Sequence, residues 1–352
     1  MRNLGLFYRV SGEVRPAGPG RVALTVRVAE KWAILPLPQL DITEEGDVKV
    51  GLDYTDYNFR GEDQQLNVKF KHAFGTDPGG QAGESGSVSL AIPQLGETPY
   101  DARASLGIAT NNEVSARSEL TGTRGSGATS VDLDLDVGRF QRIGTARRRT
   151  GIGFTVNYVT GNPRLRWVNS LRLRRSVDAV DDFVYTFRGH RAGAEVQLFS
   201  DLLGSRASAA KLSAAWTQYW KRGEHNLVGK LSGGYTLGPD ARDVGFEIGG
   251  GRSVRGIDKE SLVGAGMWLV NVEYRTPRAW EWLGGATFLD VGAAGSDLDL
   301  VRPDHMAAGV GVGLRAYIGR LVKGVARLDL AVGTGPDGAG GFKVYFGLKQ
   351  PL

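Results

Sequence analysis

The residues that could carry out chemistry are few in this sequence and lie far apart. The chain contains no cysteine, which excludes disulfides and thiolate metal sites. Neither a Gly-x-Ser-x-Gly nor a His-Glu-x-x-His motif occurs. The histidines are scattered at four positions, His72, His190, His225 and His305. The sequence therefore predicts no catalytic site, no metal site and no cofactor.

One glycine-rich run imitates a cofactor motif. Gly311 to Ala316 fits the spacing Gly-x-Gly-x-x-Ala, but that motif binds dinucleotides only between a strand and a helix start. Here Gly309, Gly311 and Gly313 alternate with apolar residues, and the chain continues towards another strand. We predict that these glycines face the interior of a barrel and make room for an inserted loop.

A more informative set of residues consists of one arginine and two carboxylates. Apolar and polar residues alternate from Trp268 to Arg275, so Glu273 lies on the polar face of a strand. Asp290 lies between two apolar residues and points the same way by the same argument. If the long loop before this strand folds inward, Arg255 can bind both carboxylates through its planar guanidinium.

The elements that must position these residues are strands. Alternation recurs along most of the chain, for example at Val48 to Thr55, Val131 to Val137, Ile152 to Tyr158 and Phe342 to Phe346. The 52 glycines suit strands joined by tight turns. No window approaches the ~20 consecutive apolar residues of a membrane helix, which excludes a helical membrane protein but not a membrane barrel.

Strand number and connection length favour a transmembrane antiparallel β-barrel over a soluble sandwich. About sixteen candidate strands begin between residues 47 and 341, with short inner turns expected at 161–163, 189–191 and 319–321. The two longest connections, about 237–264 and 293–305, are expected outside, as in bacterial outer-membrane barrels. The predicted fold is therefore all-β, with about 16 strands.

Three motifs, in order along the chain, resemble one family. They are Val254-Arg255-Gly256, the run Phe288 to Gly292, and the run Gly309 to Arg315. Together they resemble the signature motifs of the superfamily of outer-membrane assembly and secretion proteins that combine POTRA domains with a barrel. That superfamily includes the BamA and TamA insertases and the two-partner secretion transporters.

The resemblance implies a role for each matched residue. Arg255 matches the family's lid arginine, Asp290 its strand aspartate and Glu273 the glutamate on the strand between them. An aromatic residue often follows the Val-Arg-Gly element in this family, whereas this chain has Ile257, which puts the packing of the loop tip in doubt. The simpler alternative is a lumen salt bridge that only holds the barrel together.

The first 40 residues differ from the rest of the chain. Arg21 to Glu30 alternates like one half-buried strand, and with Lys31 and Trp32 it resembles the closing half of a POTRA domain. We therefore expect residues 1–40 to be a partial POTRA domain and junction, with Pro36-Leu37-Pro38 as a stiff linker, and residues 41–352 to be the barrel. Because no signal peptide is evident, we also expect that Met1 is not the natural start of the precursor.

A barrel of this family needs a seam between its first and last strands. We predict that a first strand at about 47–56 pairs with a last strand at about 341–349. Gly51 interrupts the first of these strands, and Gly341 and Gly347 interrupt the last. Because glycine weakens local pairing, this seam is expected to open sideways and to template an incoming strand.

These observations predict an outer-membrane insertase or translocase, with a passive pore, or the barrel half of a larger protein, as alternatives. Sequence does not separate insertion from secretion. The expected partners are unfolded outer-membrane or secreted polypeptides, outer-membrane lipids and periplasmic accessory proteins, in the bacterial outer membrane. The net charge of +5 does not indicate nucleic acid binding, because the basic residues are dispersed. Arg147 to Arg149, with Arg142, are expected beside an outer loop, either solvated or near anionic lipid headgroups.

Overall fold

A computed structural model describes residues 7–30, 33–42, 48–74, 83–110, 129–160, 166–183, 186–280, 282–296, 299–317 and 325–347. This part of the chain is almost entirely β-structure, and none of its helices is long and apolar enough to cross a membrane. It forms one sheet of 16 antiparallel strands and two separate two-stranded ribbons.

The large sheet contains every strand except four. Its strands are β3 (Ile34–Ile42), β4 (Val48–Phe59), β5 (Gln64–Phe74), β6 (Gly83–Ile92), β7 (Tyr100–Thr110), β8 (Thr129–Ile143), β9 (Ala146–Val159), β10 (Ser170–Phe183), β11 (Thr186–Phe199), β12 (Ala209–Arg222), β13 (His225–Leu237), β16 (Gly266–Arg275), β17 (Leu283–Gly295), β18 (Met306–Tyr317), β19 (Val325–Thr334) and β20 (Phe342–Gly347). The ribbons are β1 (Phe7–Pro16) with β2 (Val22–Glu30), and β14 (Phe246–Ile248) with β15 (Leu262–Gly264).

The all-β fold with 16 strands in one sheet is the predicted one. The predicted count, however, rested on two errors that cancel. The turn predicted at 189–191 implies an additional strand in this part of the chain, whereas residues 189–191 pair within β11, with β10 on one side and β12 on the other. The first strand of the sheet, β3, was missed, because its two prolines argue against a strand. Pro36 and Pro38 are nevertheless paired with Tyr54 and Leu52 of β4.

The addition of β3 changes the direction of the early strands. Every second connection lies at the same end of the sheet. The short turns at 60–63, 144–145 and 223–224 share one end, which we call the turn end. The connections at 200–208 and 238–265 share the other, which we call the lid end. Arg147 to Arg149 therefore lie at the turn end, opposite the long connection at 238–265 that is predicted to lie outside, so the two predictions do not hold together. The turns predicted at 161–163 and 319–321 lie outside the described residues.

The predicted seam is wrong in one strand. β4 is an interior strand, paired with β3 on one side and β5 on the other, so Gly51 does not lie at the edge of the sheet. A Cβ atom at Gly51 would overlap the Phe70 carbonyl oxygen, so this glycine allows β4 and β5 to approach closely. The edge strands are β3 and β20.

The amino-terminal ribbon has no core of its own. Val14, Val22 and Leu24 are each more than 60 % exposed, as expected of a fragment too small to bury an apolar interior. The assignment of this ribbon to a POTRA domain stays a prediction, and Lys31 and Trp32 lie outside the described residues. The predicted linker at 36–38 is instead part of β3, so the sheet begins before residue 41.

Side chains alternate between the two faces of the sheet. On β18, Val310, Val312 and Leu314 are 50 to 57 % exposed, whereas Arg315 on the opposite face is fully buried. The same division holds on β19, where Leu328 and Leu330 are exposed and Asp329 between them is buried. The exposed face is apolar and the enclosed face is polar, which is the pattern of a membrane barrel with a polar lumen.

Candidate functional site

The connection between β13 and β16 enters the lumen and packs against the wall. We call residues 249–261 the lid loop; it lies between the ribbon strands β14 and β15. Its apolar residues form a small core with the wall, consisting of Ile248, Val254, Ile257, Leu262, Leu269, Ala294 and Ala307. Ile257 is fully buried, so the residue that departs from the family pattern packs well.

Arg255 fastens the lid loop to two neighbouring strands. Its Nε and Nη2 donate to the two carboxylate oxygens of Asp290 on β17, at 2.7 and 3.1 Å. Its Nη1 donates to Glu273 on β16 at 2.9 Å. The three side chains are at most 2 % exposed. Because the guanidinium binds Asp290 through two parallel hydrogen bonds in an enclosed site, its orientation is fixed.

A second layer of charges surrounds this contact. Glu273 also accepts hydrogen bonds from Arg275, at 2.8 Å, and from Arg315, at 3.0 Å. Asp329 on β19 binds Arg315 and Arg327, and lies 3.4 Å from Nη1 of Arg255. The network thus joins four arginines and three carboxylates from four adjacent strands and the lid. Each buried carboxylate is paired with at least one arginine, which a buried charge requires.

An aromatic ring completes the binding site of the arginine. The guanidinium carbon of Arg255 lies 3.4 Å from the ring centroid of Phe288, a cation–π contact in a dry environment. Gly311 leaves the space for this ring, because a Cβ atom there would overlap it. Gly313 likewise leaves space for the ion pair of Arg315 and Asp329, because a Cβ atom there would overlap both side chains.

Two further glycines allow the lid backbone to approach the wall. A Cβ atom at Gly309 would overlap the carbonyl oxygen of Arg255, and one at Gly333 would meet the carbonyl of Gly256 at 2.6 Å. Gly256 itself has φ of +91°, a conformation that favours glycine. Gly292 has a more distant effect, since a Cβ atom there would press on Leu269 and on Ile248 beside the lid loop.

The tip of the lid loop is bound to the last strand and to the connection before it. The backbone amide of Gly256 donates to the Tyr345 hydroxyl on β20 at 2.9 Å, and its carbonyl accepts from Gly341 at 3.0 Å. The amide of Asp258 donates to the carbonyl of Ala339 at 2.8 Å, and Ile257 forms an isolated bridge with Gly340. The position of the lid loop is therefore linked to the position of β20.

The edge strands β3 and β20 lie side by side without a hydrogen-bonded ladder among the described residues. Their Cα atoms approach within 8 Å, but the strand order ends with β20 on one side and β3 on the other. Gly347 lies at the end of β20, and Gly341 precedes this strand by one residue. Of the three glycines predicted for the seam, these two are thus placed beside it and Gly51 is not.

The structure brings the predicted lid residues together and adds others. Sequence reasoning did not single out Asp329, Arg275, Arg327 or Tyr345 for this site. A signal was present for Asp329, which lies between two leucines in the same alternation that placed Asp290. The pairing of Arg327 and Arg275 with particular carboxylates carries no such signal, because it depends on which strands are neighbours.

The arrangement resembles known barrels in fold. BamA from Haemophilus ducreyi lacking POTRA domains 1–3 matches with a TM-score of 0.63 and 12 % identity, over 98 % of this chain and 75 % of that chain. CdiB from Acinetobacter baumannii has a TM-score of 0.71 and 16 % identity over 99 % and 66 % of the two chains. For CdiB from Escherichia coli the values are 0.69, 14 %, 98 % and 68 %.

The chain thus spans about two thirds to three quarters of the length of these proteins. No curated protein matches the sequence. A family model for the Omp85 superfamily domain matches residues 38–350, which cover the second half of β3, all of β4 to β20 and the whole of the lid loop. This chain therefore belongs to the Omp85 superfamily. Its family and its similarity in fold to the BamA and CdiB barrels together indicate a bacterial outer-membrane β-barrel.

Proposed function

We propose that this barrel inserts polypeptides into the outer membrane or moves them across it, without covalent chemistry. The turn end faces the periplasm, since short turns are periplasmic in such barrels. The lid loop restricts the lumen from the opposite end. The seam between β3 and β20 opens sideways and offers its unpaired backbone groups to an incoming strand.

The observation that carries this proposal is the attachment of the lid loop to β20. Tyr345 and Gly341 hold the tip of the loop, while Arg255 holds its centre to β16 and β17. A movement of the lid therefore displaces one of the two strands at the seam. A passive pore has no use for a loop fixed to its edge strand, so this linkage favours a gated barrel.

Partners follow from the same geometry. The substrate is an unfolded polypeptide able to pair as a strand, and the amino-terminal ribbon lies on the side from which it arrives. Periplasmic accessory proteins would bind on that side. Insertion into the membrane and passage across it would use the same gate.

A cross-link tests the lateral opening. Because the chain has no cysteine, one cysteine in β3 and one in β20 can form only the intended disulfide, provided that their Cα atoms lie within about 7 Å. The oxidised barrel is expected to lose insertion or secretion of a barrel or passenger substrate in reconstituted vesicles. Reduction is expected to restore the activity.

The matched control is a disulfide between β8 and β9, for example at the paired positions Leu133 and Val156 on the outer face. β8 and β9 are already joined by a continuous hydrogen-bonded ladder. A disulfide between them is therefore expected to leave activity unchanged. Full activity of the oxidised β3–β20 barrel would refute lateral opening. Steady conductance in planar bilayers that Arg255→Ala does not change would instead support a passive pore.

A further inference from the structure

Three arginines face outward from the barrel wall near the turn end. Arg139 on β8, Arg148 on β9 and Arg175 on β10 are exposed, and each lies on the outer face of its strand. The alternation is unambiguous, since Val137, Ile152 and Leu173 on the same face are 45, 53 and 57 % exposed. Charged side chains on this face of a membrane barrel are costly at the bilayer centre and inexpensive only near the interface.

The register of the sheet brings the three arginines together around one threonine. Thr150 on β9 is paired with Arg139 on one side and with Arg175 on the other. Arg148 is the next outward residue from Thr150 towards the turn end. With strands ~4.8 Å apart and ~3.3 Å between residues, the three Cα atoms lie within about 10 Å of one another. Three guanidinium groups can therefore converge on one anion above the Thr150 hydroxyl.

The outward arginines differ from their lumen neighbours in one respect. On the same strands, four of the five lumen-facing arginines are engaged by carboxylates: Arg147 and Arg149 by Asp101, Arg172 by Asp134 and Arg174 by Glu195. The fifth, Arg142, lies at the end of β8. Among the described residues, no carboxylate is within salt-bridge distance of Arg139, Arg148 or Arg175. Their charge is left for a ligand that approaches from outside the barrel.

Outward aromatic residues place this cluster at a membrane interface. Tyr100 is paired directly with Arg139 and is 43 % exposed, and Trp220 near the end of β12 is 52 % exposed. Tyrosine and tryptophan on the outer face form girdles at both interfaces of such barrels. Beyond the cluster, towards the lid end, the outer face of β9 becomes apolar at Ile152 and Phe154. The three arginines therefore lie at headgroup level in the leaflet on the turn side.

We infer that Arg139, Arg148 and Arg175, with Thr150, form a binding site for the phosphate of an acidic phospholipid in that leaflet. Guanidinium groups bind phosphate oxygens through paired, charge-assisted hydrogen bonds. An acidic lipid is preferred over a zwitterionic one. A zwitterionic headgroup carries an ammonium group, which competes with the arginines for the phosphate and is repelled by them, whereas the headgroup of an acidic lipid has no such cation. Bound lipid offsets part of the positive charge of the cluster and anchors β8 to β10 in the membrane, while the seam strands on another part of the barrel remain free to move.

The test is native mass spectrometry of the full chain in detergent, with phosphatidylglycerol and phosphatidylcholine of identical acyl chains as probes. The unmodified protein is expected to retain phosphatidylglycerol at least about tenfold better, and the preference should fall as salt rises. The triple variant Arg139→Gln, Arg148→Gln, Arg175→Gln is expected to lose the preference. The matched control changes Arg206, Arg242 and Arg302, which are exposed at the lid end, to Gln and should retain it.

Three results would overturn the assignment. They are equal retention of both lipids by the unmodified protein, an unchanged preference in the triple variant, or displacement of the lipid by inorganic phosphate at equal concentration. The last would indicate a site for free anions. If the triple variant does not give the folded, heat-modifiable band on gels, the single variant Arg148→Gln is tested instead. Its preference for phosphatidylglycerol is expected to fall about fivefold. Because none of these residues belongs to the lid or the seam, failure here leaves the proposed function intact.

Discussion

The two halves of the barrel wall use charge in different ways. On β16 to β19, the lumen-facing charges are sealed beneath the lid loop, and Arg255, Glu273 and Asp290 are at most 2 % exposed. On β4 to β11, lumen-facing charges also pair, but most of these pairs remain partly exposed to solvent. Arg174 and Glu195, for example, are 45 and 19 % exposed. The pair of Arg149 with Asp101 (11 and 4 % exposed) is the exception. Oppositely charged residues on neighbouring strands occur in both halves, so exposure is what separates them.

This difference determines what each set of charges contributes. An exposed pair gains little, because water and salt screen it and both side chains lose conformational freedom. A buried pair is costly to form, yet removal of one partner leaves an uncompensated charge. The buried charges on β16 to β19 therefore act together as a lock on the lid loop, and removal of any one partner strongly destabilises the closed barrel. The open half is a polar lining that tolerates change.

The largest expected effect is that of Arg255→Ala. This substitution leaves Asp290 and Glu273 without their shared partner and removes the cation from the face of Phe288. We expect a loss of about 3 to 5 kcal/mol in the stability of the closed barrel. The urea midpoint of the folded band on unheated gels measures this loss. Arg255→Lys should rescue poorly, because an ammonium group cannot make the paired contact.

Gly309→Ala should have the next largest effect. It leaves the ion pairs of Arg255 in place but fills the space between the lid loop and the wall, so its effect should be smaller than that of Arg255→Ala. The added methyl group would overlap the Arg255 carbonyl oxygen, and neither backbone can move without breaking the lock. We expect a cost of about 1 to 3 kcal/mol and easier proteolysis of the lid loop. The matched control is Gly107→Ala on β7, where the nearest atoms would lie at 3.9 Å. Equal effects of the two substitutions would contradict the difference between the walls.

How far the sequence could predict this lock depends on the kind of information. Alternation predicts that Glu273 and Asp290 lie on the lumen face. Successive side chains of a strand point to opposite faces, so when the apolar residues face outward the residues between them face the lumen. Neither the order of strands nor the entry of the loop follows from alternation. The Val-Arg-Gly element came from resemblance to a family, and Asp329, which obeys the same alternation, was missed because no motif drew attention to it.

Prolines explain the other failure. A Pro removes a ladder donor, so the sequence predicts a linker at Pro36-Leu37-Pro38, which lies inside β3. Pro36 and Pro38 lie on an edge strand, where one side of the strand has no ladder to lose. This position is the one in a sheet that accepts proline, and it also blunts an exposed edge. The residues that hid β3 from prediction therefore fit its place at the seam.

A double-mutant cycle between Arg255 and Asp290 sharpens the comparison further. If both residues serve one lock, the effects of Arg255→Ala and Asp290→Ala should be non-additive, with a coupling energy of roughly 0.5 to 3 kcal/mol. Unfolding midpoints of the two single variants and the double variant give this energy. Full additivity would show that Asp290 is not the principal partner and would favour Glu273, whose carboxylate also binds Nη1 of Arg255 at 2.9 Å.

The smallest expected effect is in the open half of the wall. Arg174→Ala removes a pair with Glu195 that links β10 to β11. Because the arginine is nearly half exposed, water solvates the glutamate left behind, and the expected loss is about 0 to 1 kcal/mol. The same urea titration at low and high salt measures it, and high salt should reduce even this difference. A loss near that of Arg255→Ala would mean that Arg174 is sealed from solvent in the folded barrel, and that both halves of the wall act as locks.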